Sequence, residues 1–147
     1  MTEPETHRSS NAPAIVVTHV ERDRLRIAVR GHLLFADQSL ADGGDDTAPT
    51  PTEMFLSSLA ACVTFNAERF LRRNQLPTEG LTVSCDYSWA EHPHRVGAIE
   101  LKVTGPEMSA ARQSAFQRVI EHCTVHNTLE HPPLVLIRLG STRIAAA

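Results

Sequence analysis

The chain has 147 residues, a formal net charge of -3 at pH 7, and a composition of 41% apolar and 21% charged residues. That length predicts one domain with one core, and the acidic balance argues against a large phosphate-binding surface, so nucleic acid is not an expected partner. The apolar runs stay well below the ~20 residues that span a bilayer, and the N-terminus lacks the pattern of a signal peptide. We therefore expect a cytoplasmic protein with no membrane partner.

A polar tail and a set of strands come first along the chain. Residues 1–13 show no periodicity, which predicts a flexible tail ahead of a single domain over residues 14–147. The runs AIVVTHV and RLRIAVRGHLLFAD follow, and in the second run Leu25, Ile27 and Val29 alternate with polar or small residues. This alternation predicts half-buried strands joined by a hairpin turn at ERD.

A long loop precedes the first predicted helix. Residues 37–51, DQSLADGGDDTAPTP, are rich in Asp, Gly and Pro and exceed the ~4–6 residues of a usual connection. Thr50 as N-cap, Pro51 at the first helical position and Glu53 at the third form a capping box. The helix is predicted to run to about Arg73.

The second half of the chain predicts a hairpin, a helix and a last strand. The segments GLTVSCDYSWAEH and HRVGAIELKVTGP alternate and predict two long antiparallel strands. A second helix is expected over EMSAARQSAFQRVIEHC, and the segment TVHNTLEHPP closes that helical region before a final strand at LVLIRL. The buried stripe of this helix is expected to comprise Met108, Ala111, Ala115, Val119 and His122 or Cys123. The order of elements indicates an α+β fold.

The three cysteines have different surroundings, and their odd number in a reducing compartment favours free thiols. Cys85 shares a predicted strand face with apolar residues and is expected to be a small buried hydrophobe. Cys62 lies on the inward stripe of the first helix, where periodicity alone predicts a core residue. Cys123 is flanked by His122 and His126, and a cationic ring at the right distance, or the start of a new helical turn, would lower the pKa of its thiol.

Metal binding is an alternative at Cys123, which forms the pattern C-x-x-H with His126 and has His122 and His131 nearby. No second ligand pair occurs at finger-like spacing, so we expect no metal. The sequence also lacks the glycine-rich phosphate motifs, the serine elbow G-x-S-x-G and the redox motif C-x-x-C. No cofactor is expected.

The segment GGDDTAPTPTEMFLSSLAACVTF, followed later by IEHCTVHNTL, resembles the OsmC/Ohr family of thiol-dependent peroxide reductases. The resemblance covers residues 25–139 and implies an OsmC-like fold, in which antiparallel sheets wrap two long central helices in an intertwined homodimer. It identifies Cys62 with the peroxidatic cysteine and Cys123 with the resolving cysteine of the family. It further implies an organic hydroperoxide as substrate and an external dithiol as reductant.

Two positions depart from the family pattern. In the family's hydroperoxidases an arginine from the N-terminal part of the chain holds the peroxidatic thiolate, and a glutamate directly after the helix-leading proline orients it. Here Thr52 follows Pro51, the glutamate comes next at Glu53, and no arginine occurs between Gly31 and Glu68. Glu53 is a catalytic candidate beside its capping role, although ~13–14 Å of helix separates it from Cys62 within one chain.

The remaining candidates are arginines and pocket residues. Arg22, Arg24, Arg26 and Arg30 precede the loop, and alternation places the last three on the polar face of their strand, where solvated charge is the simplest interpretation. We predict that Arg30, Phe55 and His126 take part in binding. The alternative function is an OsmC-fold protein with weak or no peroxidase activity that binds a small apolar or electrophilic ligand in the dimer-interface cavity.

Overall fold

The computed structural model describes residues 15–140, so the tail predicted at residues 1–13 lies outside the described part. The chain divides into two compact units, Met1–Ser58 and Leu59–Ala147, and the division falls inside the long helix. No helix within residues 15–140 is both long enough and apolar enough to cross a bilayer. That the units form one domain stays a prediction.

The first unit contains a three-stranded antiparallel sheet. Its strands β1 (Ile15–Glu21), β2 (Arg24–Val29) and β3 (His32–Ala36) are hydrogen-bonded in that order. Leu25, Ile27 and Val29 are half-buried, as the alternation predicts. All seven residues of β1 are exposed. The apolar side chains of this strand are therefore not covered by any of residues 15–140.

A buried carboxylate organises the long loop between β3 and the first helix. The side chain of Asp37 accepts hydrogen bonds from the Thr47 hydroxyl at 2.7 Å, the Thr47 amide at 3.0 Å and the Gln38 amide at 2.8 Å. These three donors tie the two ends of the loop to one acceptor, because Gln38 and Thr47 lie at its opposite ends. The loop is thus ordered, with one short 3-10 turn at Leu40–Asp42.

The long helix α1 spans Pro51–Arg73 and begins and ends where the sequence predicts. The capping box is formed: the Thr50 amide donates to the Glu53 carboxylate at 2.7 Å, and the Glu53 amide donates to the Thr50 hydroxyl at 3.2 Å. Arg72 and Arg73 lie in the last turn, where positive charge favours the helix dipole. Local chemistry accounts for both ends of this helix.

The second unit packs a hairpin and short helices against the later part of α1. Strands β4 (Thr82–Ala90) and β5 (Arg95–Thr104) pair antiparallel, followed by helices α2 (Ala110–Ile120) and α3 (Thr124–Glu130). One buried cluster contains Leu59, Val63 and Cys123. A second contains Ala67, Leu71 and Phe116. The predicted hairpin is confirmed, and it covers the helix face that carries Cys62.

Two sequence predictions in this unit are wrong in part. Of the predicted stripe, Cys123 is buried and Met108 and Ala115 are half-buried, but Ala111 and Val119 are exposed, and the buried residue of α2 is Phe116. The large aromatic side chain sets the orientation of the helix because it buries far more apolar surface than the alanines. The helix also ends at Ile120, and Cys123 caps a separate helix.

The predicted last strand at LVLIRL is also not formed within this chain. Residues 134–139 have no strand partner in the described part of the chain, and their apolar side chains are 66–100% exposed. A strand requires backbone hydrogen bonds to a neighbouring strand, and a run of apolar residues in the sequence does not provide that partner.

Candidate active site

Two of the three thiols lie together in an apolar cluster of the second unit. Cys62 packs against the buried residues Leu59, Val63 and Cys123. Leu59 and Val63 share a helix face with Cys62 because residues three and four apart are neighbours on α1. Partly buried residues complete the surroundings of this thiol cluster: Val83, Ile99, Leu101, Val103, Ile120 and Val125.

Cys123 takes its position from the break between α2 and α3. It is the N-cap of α3, with extended backbone angles, and its Sγ accepts a hydrogen bond from the His126 amide at 3.3 Å. This geometry turns the side chain inward, and the thiol is only 1% exposed. A side chain that caps a short helix is thereby fixed beside the middle of α1.

Burial raises the pKa of the Cys123 thiol above its ordinary value. The His126 and Val125 amides act in the opposite direction, while a hydrogen bond with Cys62 and the charge of that thiol raise the pKa further. Cys123 is therefore protonated at neutral pH. Cys62 and Cys123 are both free cysteines in this structure.

The imidazole of His126 is engaged elsewhere. Its Nδ1 contacts the Glu121 carbonyl, and its Nε2 lies 3.6 Å from a carboxylate oxygen of Glu130. The sequence predicted that a histidine ring would lower the pKa of Cys123. In the structure it is the backbone amide of His126, not its ring, that acts in this direction. His122 is exposed and is not among the groups that shift the pKa of the thiol.

A metal centre is not supported in this part of the chain. Among residues 15–140, no group of three or more His, Cys, Asp or Glu side chains converges as a metal ion would require. Cys123 and His126 thus have no further ligands there.

The four candidate arginines differ in their surroundings. Arg22 forms an ion pair with Asp45 at 2.9 Å, and Arg26 and Arg30 are exposed. Arg24 is half-buried, because its guanidinium lies 4.7 Å from the centre of the Phe35 ring. Its Nε is buried and has no hydrogen-bond partner among the described residues. Solvated charge is thus the wrong interpretation for Arg24.

Three further sequence-predicted residues lie in the first unit. Arg30 occupies the turn between β2 and β3 with a positive φ of 55°, and Glu53 is exposed within the capping box. Phe55 is 39% exposed on α1. The structure brings Cys62 and Cys123 together, whereas catalytic or binding roles for Arg30, Glu53 and Phe55 stay predictions.

The sequence allows a new helical turn to begin at Cys123, but the capping role of its side chain was not predicted. The signal was present, because the pattern C-T-V-H after a helix allows a side chain to accept from the amide three residues later, as a polar N-cap does. It was hidden by the expectation of one continuous helix ending at Cys123. The cap matters because it, rather than helix periodicity, sets the position of the second thiol.

Comparison with known proteins places this arrangement in a family. The sequence profile of the OsmC-like proteins matches residues 43–137, which is more than half of the chain and includes both thiols. No curated protein sequence matches the chain.

Solved structures share the fold. An osmotic stress and detoxification response protein from Psychrobacter arcticus superposes with a TM-score of 0.73 at 20% identity, over 83% of this chain and 90% of that one. An OsmC-like protein from Mycoplasma pneumoniae gives 0.68 at 18% identity, over 84% and 90%. An organic hydroperoxide resistance protein OsmC from Legionella pneumophila gives 0.60 at 17% identity, over 83% and 91%. The fold is thus α+β and OsmC-like, and the chain belongs to the OsmC-like family.

Proposed function

We propose that the protein is a cytoplasmic thiol-dependent peroxidase that reduces organic hydroperoxides through Cys62 and Cys123. One observation carries the proposal: two free thiols lie together in a single apolar cluster, contributed by different helices. The family includes the Legionella protein named for organic hydroperoxide resistance, which is consistent with this chemistry. An apolar lining suits a peroxide with an organic substituent.

The different burial of the two cysteines supports one assignment of their proposed roles. Cys62 is half-buried, so a peroxide reaches its sulfur more easily than that of Cys123, which is 1% exposed. A protonated, buried Cys123 is protected from direct oxidation, because the thiolate is the reactive form. In this proposal Cys62 is the peroxidatic thiol and Cys123 the resolving thiol.

The proposed reaction balances in three steps. The Cys62 thiolate attacks the O–O bond, and the peroxide leaves as an alcohol after taking up a proton, while Cys62 becomes a sulfenic acid. The Cys123 thiol then attacks the Cys62 sulfur, water leaves, and a disulfide forms. An external dithiol reduces that disulfide by two exchange steps and becomes oxidised itself.

A cation favours a thiolate, so the arginines of the first unit are candidates for a mutational test of the first step. Arg22 is engaged with Asp45, whereas the half-buried guanidinium of Arg24 has an unpartnered Nε within the described residues, which makes Arg24 the first to test. Peroxide turnover of Arg24→Gln, compared with that of the exposed Arg26→Gln variant on the same strand, measures whether Arg24 takes part.

We also propose a homodimer. The apolar residues of 134–139 and Ile15, Val16 and Val17 of β1 are more than half exposed, which is unusual for a monomer. A second copy could supply the strand partner that residues 134–139 lack. Light scattering after size exclusion should give twice the chain mass of 16.2 kDa, and Leu136→Asp should shift the protein toward one chain. A monomeric wild-type protein would contradict the proposal.

Turnover of cumene hydroperoxide and of hydrogen peroxide with excess dithiothreitol tests the enzymatic proposal. We expect faster turnover of the organic peroxide, loss of activity in Cys62→Ser, and near wild-type activity in Cys85→Ser. One equivalent of peroxide should lower the mass by about 2 Da, mapped to a link between Cys62 and Cys123. Activity that persists in Cys62→Ser excludes the assigned nucleophile.

The second candidate function is ligand binding by an OsmC fold with little peroxidase activity. It is favoured by Thr52, which occupies the position of the family glutamate, and by the ion pair that engages Arg22. The same experiment separates the two functions. Thiols that stay reduced after one equivalent of either peroxide would favour the binding function.

A further inference from the structure

A cationic groove of about 410 Å³ lies in the second unit, apart from the apolar lining of the thiols. It is formed by the last turns of α1 and the end of α2. Residues that line it include Arg69, Phe70, Arg73, Asn74, Arg118 and Val119. Its volume falls within the ~300–1,000 Å³ of typical small-molecule sites.

The positive charge of this groove has no counter-charge in its lining. Arg69 and Arg73 are four residues apart on α1, a spacing at which like charges destabilise a helix. Arg118 adds a third guanidinium from α2, and none of the lining residues is acidic. By contrast Arg72, which lies outside the lining, is paired with Glu68 at 3.1 Å. Three arginines line this one groove in a chain whose net charge is -3, and the guanidinium of Arg69 also lies 5.4 Å from the centre of the Phe65 ring. The lining therefore favours an anionic occupant.

The groove also presents apolar surface beside the charge. Phe70 packs edge-on against Phe116 with ring centres 5.3 Å apart, so its ring is held in place. Val119 is 39% exposed on the facing helix. The side-chain amide of Asn74 donates to the Phe70 carbonyl at 2.9 Å, which holds this side chain against the last turn of α1. A ligand that satisfies both parts carries an anionic group on an apolar body.

We propose that this groove binds an organic phosphate monoester, with the phosphate on Arg69, Arg73 and Arg118 and the organic group against Phe70 and Val119. Guanidinium groups match phosphate oxygens by paired hydrogen bonds, and a dianion balances more of the three charges than a carboxylate does. The site uses neither thiol, so it stands independently of the peroxidase proposal.

Calorimetric titration of the full chain with 1-naphthyl phosphate tests the proposal. It should bind more tightly than 1-naphthol, which lacks the anion, than inorganic phosphate, which lacks the apolar group, and than 1-naphthoate, which has one charge. Arg69→Gln and Arg118→Gln should each weaken binding about tenfold, the size expected for one hydrogen bond to a charged group. Arg72→Gln is the matched control on the same helix and should bind as the wild type does.

Three results would overturn the proposal. Equal affinity for 1-naphthol would show an apolar site only, and tighter binding of 1-naphthoate would exclude the phosphate assignment. An equal loss in Arg72→Gln and Arg118→Gln would show that general charge, not the groove, determines binding. Circular dichroism checks that each variant is folded. If one of the arginine variants does not fold, Arg118→Ala takes its place, because Arg118 is exposed on its helix.

Discussion

Asp37 in the long loop and Cys123 at the start of α3 are both buried ionisable residues, at 2% and 1% exposure. The pKa of Asp37 is lowered, which favours its charged form, whereas the pKa of Cys123 is raised, which favours its neutral form. Hydrogen bonds from Thr47, its hydroxyl first and its amide second, lower the pKa of Asp37 from 3.8 to about 2 against the effect of burial. Burial raises the pKa of Cys123, because its amide donors are fewer and bind sulfur more weakly.

The difference shows that burial alone does not decide the charge of a side chain in this protein. Three short hydrogen bonds to oxygen favour the ionised form of Asp37, whereas one 3.3 Å bond to sulfur leaves Cys123 protonated. The loop therefore uses a charge to order its backbone, whereas the Cys123 thiol in the apolar cluster stays neutral.

The largest effect should come from opening the thiol cluster. Leu59 is 4% exposed beside Cys123, so Leu59→Ala should lower the free energy of unfolding by about 2–5 kcal/mol. Water entering the cavity should also lower the pKa of Cys123 and speed its alkylation by iodoacetamide. Chemical denaturation and mass-resolved alkylation measure the two effects, with the 39% exposed Phe55→Ala as a milder control. Unchanged alkylation would mean that burial does not set the pKa.

Removing the buried charge from the loop tests the other half of the comparison. Asp37→Asn replaces an acceptor with a group that presents an amide to the Thr47 donors, so the loop should lose stability at neutral pH. Since the pKa of Asp37 is lower in the folded chain, its stabilisation is complete above 3.8 and is lost as the pH falls toward about 2. The difference between wild type and variant, measured by hydrogen exchange of the loop amides, should therefore shrink in acid. A pH-independent difference would contradict the charged acceptor.

Replacing Cys123 and Cys85 by serine, one at a time, compares the stability cost of a hydroxyl at a buried and at a half-buried position. Cys123→Ser places a hydroxyl in an apolar cluster and should cost about 1–3 kcal/mol of unfolding free energy. Cys85 is half-buried on β4, so Cys85→Ser should cost less than about 1 kcal/mol. Thermal and urea unfolding measure both losses of unfolding free energy. A greater loss for Cys85→Ser than for Cys123→Ser would contradict the conclusion that Cys123 is the more tightly packed of the two.

The smallest effect is expected at the start of α1. Glu53→Gln keeps an acceptor for the exposed Thr50 amide, so stability should change by less than about 0.5 kcal/mol. Peroxide turnover distinguishes the two roles of this residue, because capping alone leaves turnover unchanged. A large loss of turnover with unchanged stability would instead make Glu53 part of the reaction.

The sequence by itself determined the elements whose causes are local. The capping box and the basic last turn define both ends of α1, and strict alternation defines β4 and β5, because each depends on residues within a few positions of one another. The resemblance in the flanks of Cys62 and Cys123 identified the family. These features needed no knowledge of what packs against them.

Only the tertiary structure decided where the thiols lie. The meeting of Cys62 with Cys123 depends on packing between segments far apart in the chain, and the partial burial of Arg24 depends on the pairing of β2 with β3, which places Phe35 beside its guanidinium. The same limit explains the wrong predictions: Phe116 sets the orientation of α2, and residues 134–139 lack a strand partner within the described chain. Periodicity predicts which face is apolar, but burial depends on what covers that face.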